Sequence, residues 1–194
     1  MPHSLPSMKR VLVIGCPGAG KSTFARWLRD ATGLPLYYLD RIWHRPDKTN
    51  IPHEEFDARV AELTACDRWI IDGNYLRTLE PRLARCDTVF FLDLPVEDCL
   101  AGVAARRGLP REDMPWVEEE PDEEFIQYIR DFPADQLPEI LRLLEQYRAG
   151  RRVITFHSRA EAEAFRAAQS PAGRAGDQPF DPAGMLAGRT VPKK

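Results

Sequence analysis

The sequence lacks most of what marks a membrane, secreted or zinc-binding protein. No apolar run approaches the ~20 residues that a bilayer-spanning helix requires. The opening residues, MPHSLPSMKR, hold no apolar stretch of the kind a secretory signal needs. Four cysteines (Cys16, Cys66, Cys86 and Cys99) stand far apart, with no C-x-x-C pair and no Cys/His cluster. That argues against a zinc module or a disulfide framework and suits a reducing cytosol. An excess of positive charge is missing too, because 27 Lys and Arg face 30 Asp and Glu for a net charge of -3. Duplex binding draws on a strong basic field, so no direct DNA binding is expected. Together these absences predict a cytoplasmic protein with no membrane partner, a monomer or small homo-oligomer.

What is present is ordinary in amount and specific in arrangement. The 194 residues are 43% hydrophobic and 29% charged, the profile of a single soluble domain. Residues 11–14 form a short β-branched run followed at once by glycine, which reads as a buried parallel strand. Similar strands are expected at 36–39, 69–71, 88–92 and 153–156, the second, third and fourth ending at Asp40, Asp72 and Asp93. Helical spacing predicts helices at 21–29, 52–66, 96–107, 122–131, 137–149 and 160–168. The segment RIWHRPDKTNIP is read as a loop, and no element is assigned between Gly73 and Asp87. Strands alternating with helices imply an α/β fold, a five-stranded parallel sheet with helices on both faces. Residues 1–168 are expected to form this domain, with a mobile lid insertion at about 108–121 and a disordered C-terminal tail over 169–194.

One motif carries chemistry directly. Gly15-Cys16-Pro17-Gly18-Ala19-Gly20-Lys21-Ser22, followed by Thr23, fits G-x-x-x-x-G-K-[ST] between a predicted strand and a predicted helix. The glycines let backbone N–H groups wrap a phosphate, Lys21 supplies a cation to the terminal phosphates, and Ser22 can ligate Mg²⁺. Such a loop needs a second carboxylate for Mg²⁺ at the end of a neighbouring strand. Asp72, beside Gly73, is the candidate, with a turn cap as the alternative role. Asp40 fits a general base for an acceptor hydroxyl, or else caps a connecting loop. Asp93 precedes Leu94-Pro95 and is read as a helix cap. Residues 112–124 hold eight acids and no base, a pattern read as a solvated face.

The strings VLVIGCPGAGKSTFARWL, LPLYYLDRIWH, DRWIIDGNYLRTL and DTVFFLDLP, with the later AARR, resemble P-loop kinases of the adenylate-kinase-like class. Within that class they are similar to the small bacterial group labelled DNA topology modulation protein, or adenylate-kinase-related kinase. The resemblance spans residues 9–166 and implies a P-loop NTPase fold, ATP as donor, Mg²⁺ and a short lid after the helix that follows strand four. It sets Asp72-Gly73 and Arg77 in the place of the Asp-Gly and arginine of the adenylate kinase string DGFPRT. Here that string reads DGNYLRT, one residue longer and without the proline, which leaves the acceptor unassigned. Arg106 and Arg107 take the place of lid-base arginines that clamp phosphate, or complement the dipole of their own helix. Trp43 and Asn74, with Asp40 and Arg77, are candidates for holding the acceptor. His157-Ser158-Arg159 falls by position where related kinases hold adenine.

Three functions follow as expectations. The first is transfer of the γ-phosphate of Mg·ATP to a small acceptor, a nucleoside, nucleotide or other hydroxyl- or phosphate-bearing metabolite. The second is a nucleotide-binding regulator linked to DNA topology without kinase activity. The third is a P-loop fold whose chemistry has been lost.

Overall fold

The apolar runs become strands β1 (Arg10–Gly15), β2 (Leu36–Tyr38), β3 (Trp69–Asp72), β4 (Thr88–Leu92) and β5 (Arg152–Phe156) of one sheet ordered β2-β3-β1-β4-β5. All four pairings are parallel, and the computed structural model describes residues 8–120 and 122–169. Gln169 closes the last helix, and the rest of the tail expected from residue 169 lies outside the described residues. Strands β3 and β4 are buried at every position, as expected of strands covered on both faces.

The helices are α1 (Lys21–Thr32), α2 (Leu39–Trp43), α3 (His53–Ala65), α4 (Leu76–Arg85), α5 (Val96–Arg106), α6 (Glu123–Asp135), α7 (Leu137–Gln146) and α8 (Arg159–Gln169). On one face Phe24 of α1 and Phe165 of α8 meet Phe90 and Phe156, with ring centroids 4.8–6.3 Å apart. The next residue along β4, Phe91, points the other way and shares a cavity wall with Leu141 and Leu144 of α7. This aromatic layer anchors α1 against the sheet and so fixes the loop that precedes it.

Two elements differ from expectation. The segment after β2 is not a loop at its start. Leu39 is fully buried and draws residues 39–43 into the short helix α2, so Asp40 sits in a helical first turn rather than at a strand end. Residues 76–85, left unassigned from sequence, form α4 around buried Leu79 and Leu83. Burial of those leucines outweighs the hydrogen bond lost at Pro81.

Register sets the functional edge. Val13 lies opposite Asp72, Asp72 opposite Tyr38, and Gly15 opposite Leu92. The strands therefore end together, and the loops that leave them share one side of the sheet, where ligands bind in such folds.

Candidate active site

The loop from Gly15 to Gly20 joins β1 to α1 and is held from behind. Gly18 and Gly20 have φ of 83° and 99°, in the left-handed region that favours glycine. A Cβ on Gly18 would collide with the Cys99 carbonyl of α5, so only glycine allows this approach. Arg159 donates to Gly18 O at 2.8 Å and to Asp98 O at 3.0 Å, tying the loop to α5 and α8. Gly20 supplies no side-chain cap, which leaves the first-turn N–H groups of α1 for an anion. Lys21 Nζ donates to Cys16 O at 3.0 Å and lines a cavity of about 450 Å³ with Thr23, Arg26, Arg106 and Arg159. Glycine loop, uncapped helix start and several cations fit a nucleoside triphosphate.

Asp72 lies just inside this loop and is 5% exposed. Its Oδ1 is buried with no hydrogen-bond partner. Burial pushes the Asp72 carboxyl up to about 7, while Lys21 and Ser22 pull it down and Asp40 and Asp113 push it further up. Among the described residues no three His, Cys, Asp or Glu side chains converge as a metal cage. An orphaned carboxylate oxygen close to the Ser22 hydroxyl fits a Mg²⁺ that takes its other ligands from phosphate and water. A carboxyl group raised in the folded state destabilises the fold as pH climbs from about 4 toward its raised value. Asp72→Asn is therefore expected to melt several degrees above the native protein at pH 8 without nucleotide. That advantage should shrink steadily as pH falls toward 4, as read by differential scanning fluorimetry across the range.

A second cavity of about 330 Å³ adjoins the first. Asp40 lines it and accepts a hydrogen bond from the Tyr75 hydroxyl at 2.7 Å on Oδ1. Burial, with Asp40 alongside, pushes the Tyr75 hydroxyl up and keeps it a donor. Asn74 also lines the cavity, 8% exposed, with the Tyr128 hydroxyl alongside its amide. The loop holding Asn74 and Tyr75 is shaped from below by Arg82 of α4, which has no exposed surface. Its guanidinium donates to the carbonyls of Gly73 at 2.8 Å, Tyr75 at 2.9 Å and Thr78 at 3.0 Å, and to that of Asn74.

Other expected acceptor residues stand elsewhere. Arg77 forms a two-pronged pair with Asp57 of α3 at 2.7–3.0 Å, on the surface and outside both cavities. An adjacent carboxylate on α3, separated by 20 residues, claims it. Trp43 lines neither cavity but stacks on His53 at 4.8 Å and packs edge-on against Phe56 at 5.3 Å. It buttresses the wall that Tyr75 presents.

The lid overturns the reading of a wholly solvated acidic run. Asp113 is 4% exposed and accepts from Ser22 Oγ at 3.1 Å and Arg111 at 3.3 Å. Glu118 pairs with Arg111 at 3.0 Å and Arg106 at 3.6 Å, and Glu112 with Arg29 at 2.7 Å. Each of these acids pairs with an arginine, which is why a negative segment lies close to the glycine loop with its charge compensated. The expected mobile excursion is thus anchored, with Met114 buried and its carbonyl accepting from Arg41 at 3.1 Å. Glu119, Glu120, Glu123 and Glu124 do face solvent, and Asp122 caps α6 by accepting from Phe125 N at 3.0 Å.

The two lid-base arginines separate. Arg106 reaches both cavities, and burial with neighbouring Arg111 lowers its pKa. Arg107 follows the end of α5, is exposed and lines neither. His157 and Arg159 also part, since His157 sits 3.5 Å from Asp93 in a different cavity. Sequence reasoning passed over Arg26, Arg82, Arg111, Phe125 and Tyr128, and placed Asp113 on a solvated face. Phe125 and Tyr128 carry a faint signal, an i,i+3 aromatic pair at the start of α6.

Comparison with solved structures finds likeness to a shikimate kinase from Acinetobacter baumannii in complex with shikimate. It is 21% identical with a TM-score of 0.54, over 84% of this chain and 92% of that one. An unliganded sugar kinase from Janibacter sp. HTCC2649 is 22% identical with a TM-score of 0.48, over 82% of this chain and 91% of that one. No protein-family model and no curated protein matches the sequence. The chain shares with that shikimate kinase its overall α/β fold, here an all-parallel five-stranded sheet. Among the described residues no helix is long and apolar enough to cross a membrane.

Proposed function

We propose that the protein transfers the γ-phosphate of ATP to the hydroxyl of a small acceptor. The observation that carries this reading is that the two cavities share a boundary. Lys21, Ser22, Arg106, Arg111 and Asp113 line both of them. A phosphate donor held in the first and an alcohol in the second would meet among these cations. Phosphoryl transfer asks a protein mainly for positioning and charge neutralisation, and both are supplied here.

In this reading the loop N–H groups and Lys21 grip the β- and γ-phosphates. Ser22 and Asp72 would hold Mg²⁺, whose charge offsets that of the phosphates. Arg106 faces the transferring group from the lid side. Asp40 Oδ2, with no hydrogen-bond partner among the described residues, takes the acceptor proton while Tyr75 orients the carboxylate through Oδ1.

The test is ADP release with Mg·ATP across a panel of alcohols and phosphorylated metabolites. One acceptor class should raise the rate well above the water background. Asp40→Asn should then lower kcat by about 10²-fold or more with little change in the KM for ATP. Tight ATP binding with no acceptor-stimulated turnover across the panel would instead support the nucleotide-binding regulator.

A further inference from the structure

The acceptor cavity is acidic where an anionic acceptor would need it basic. Its wall carries the carboxylates of Asp40, Asp72, Asp113, Glu118 and Asp122 against the cations Lys21, Arg106 and Arg111. Arg111 is paired with Asp113 at 3.3 Å and Glu118 at 3.0 Å. Arg106 stands 3.6 Å from Glu118, and its buried Nε makes no hydrogen bond. Lys21 belongs to the phosphate loop. Among the described residues this wall carries five carboxylates to three cations, an excess of acid that disfavours a carboxylate or phosphate on the acceptor.

The remainder of the wall has a different chemistry. Trp116 from the lid meets His44 edge-on, ring centroids 5.0 Å apart, and Phe125 and Tyr128 of α6 line the cavity with them. Asn74 stands at the edge of the same space, its buried amide beside the Tyr128 hydroxyl. Aromatic faces suit a planar ring, and the amide with its tyrosine neighbour suits the polar edge of one. The volume of about 330 Å³ suits a molecule of nucleoside size, being near the lower end of small-ligand sites.

We infer that the acceptor is an uncharged nucleoside, its base among the aromatic residues and beside Asn74, its sugar hydroxyl toward Asp40. This rests on the kinase reading above. The hydroxyl oxygen forms a bond to the γ-phosphorus of ATP as the bond to the β,γ-bridging oxygen breaks. ADP leaves with that electron pair, and the hydroxyl proton passes to the Asp40 carboxylate and then to water. The products are a nucleoside monophosphate, ADP and one proton. A monophosphate offered as acceptor would bring a second dianion to a wall whose carboxylates outnumber its cations five to three, and is disfavoured on that ground.

The experiment offers the full chain Mg·ATP with ribo- and deoxyribonucleosides, the matching 5′-monophosphates, and shikimate as an anionic alcohol. ADP release and ³¹P NMR of the product are the readouts, and the part of the tryptophan fluorescence response that Trp116→Ala removes reports binding. Nucleosides should raise turnover at least about tenfold over background, while monophosphates and shikimate leave it near background. Asn74→Ala and, independently, Trp116→Ala should each raise the nucleoside KM several-fold or more while the KM for ATP stays within about twofold. Greater stimulation by a monophosphate or by shikimate would overturn the inference and leave the kinase reading standing. Nucleoside binding without any phosphorylation would sink the kinase reading and with it the acceptor role. A panel in which nucleosides neither bind nor react, while another alcohol is phosphorylated, overturns the inference alone.

Discussion

Lys21→Ala is expected to abolish acceptor-dependent ATP turnover, by about 10²–10³-fold or more, while the protein remains folded. The side chain is partly exposed at the junction of the two cavities, and its one hydrogen bond is to Cys16 O. Removing it empties no part of the core, so unfolding by heat or urea should shift little. What disappears is the cation that follows negative charge as the phosphoryl group moves. The measurement pairs ADP release with a thermal melt of the same sample. Turnover at the native rate in a folded Lys21→Ala protein would show that the chemistry lies elsewhere.

Arg82→Ala is expected to have the largest effect on stability, a loss of about 3–5 kcal/mol. Arg82 is fully buried, and all its hydrogen bonds go to backbone carbonyls of one turn. Burial lowers the pKa of its guanidinium, yet the carbonyls around it hold the charged fork in place. Alanine would leave the carbonyls of Gly73, Tyr75 and Thr78 without this donor and a void beside them. The same turn holds Tyr75 at a φ of 35°, a strained conformation for a side chain this large. Arg82→Lys recovers only part of the loss, because an ammonium cannot reproduce the planar fork. Urea denaturation measures the stability change. In the lysine variant the acceptor KM should rise while the KM for ATP holds, since the turn carries Asn74 and Tyr75 and not the phosphate loop. An Arg82→Ala protein as stable as the native one would refute this account of the turn.

The glycine loop and its place between β1 and α1 were legible in advance because their information is local. A cradle of consecutive backbone N–H groups has to appear as one uninterrupted string, here Gly15 through Ser22. Asp72 was legible for a similar reason, since a strand of buried residues ending in an acid points to the sheet edge. The acceptor side resisted because its partners are far apart in the chain. Ser22 and Asp113 are separated by 91 residues, and Tyr75 and Asp40 by 35. Arg77 was favoured over Arg82 by its place in a familiar string. Nothing in LRTLEPRLAR distinguishes the arginine that pairs with a surface aspartate from the one that underpins a turn. Arg106 and Arg107 are adjacent and alike, and the end of α5 alone turns one inward and the other outward.

By itself, then, the sequence determined the α/β fold, the glycine loop between β1 and α1 and the acid at the end of β3, because each depends on neighbours along the chain. Tertiary structure decided the rest. It folded an acidic lid inward against Arg106, Arg111 and Ser22, and it turned a run that reads as solvated into one wall of a pocket. The physical reason is that charge is compensated in space and not in sequence. Whether Asp113 faces water or a phosphate loop depends on which arginine lies 3–4 Å away, and only the folded chain specifies that.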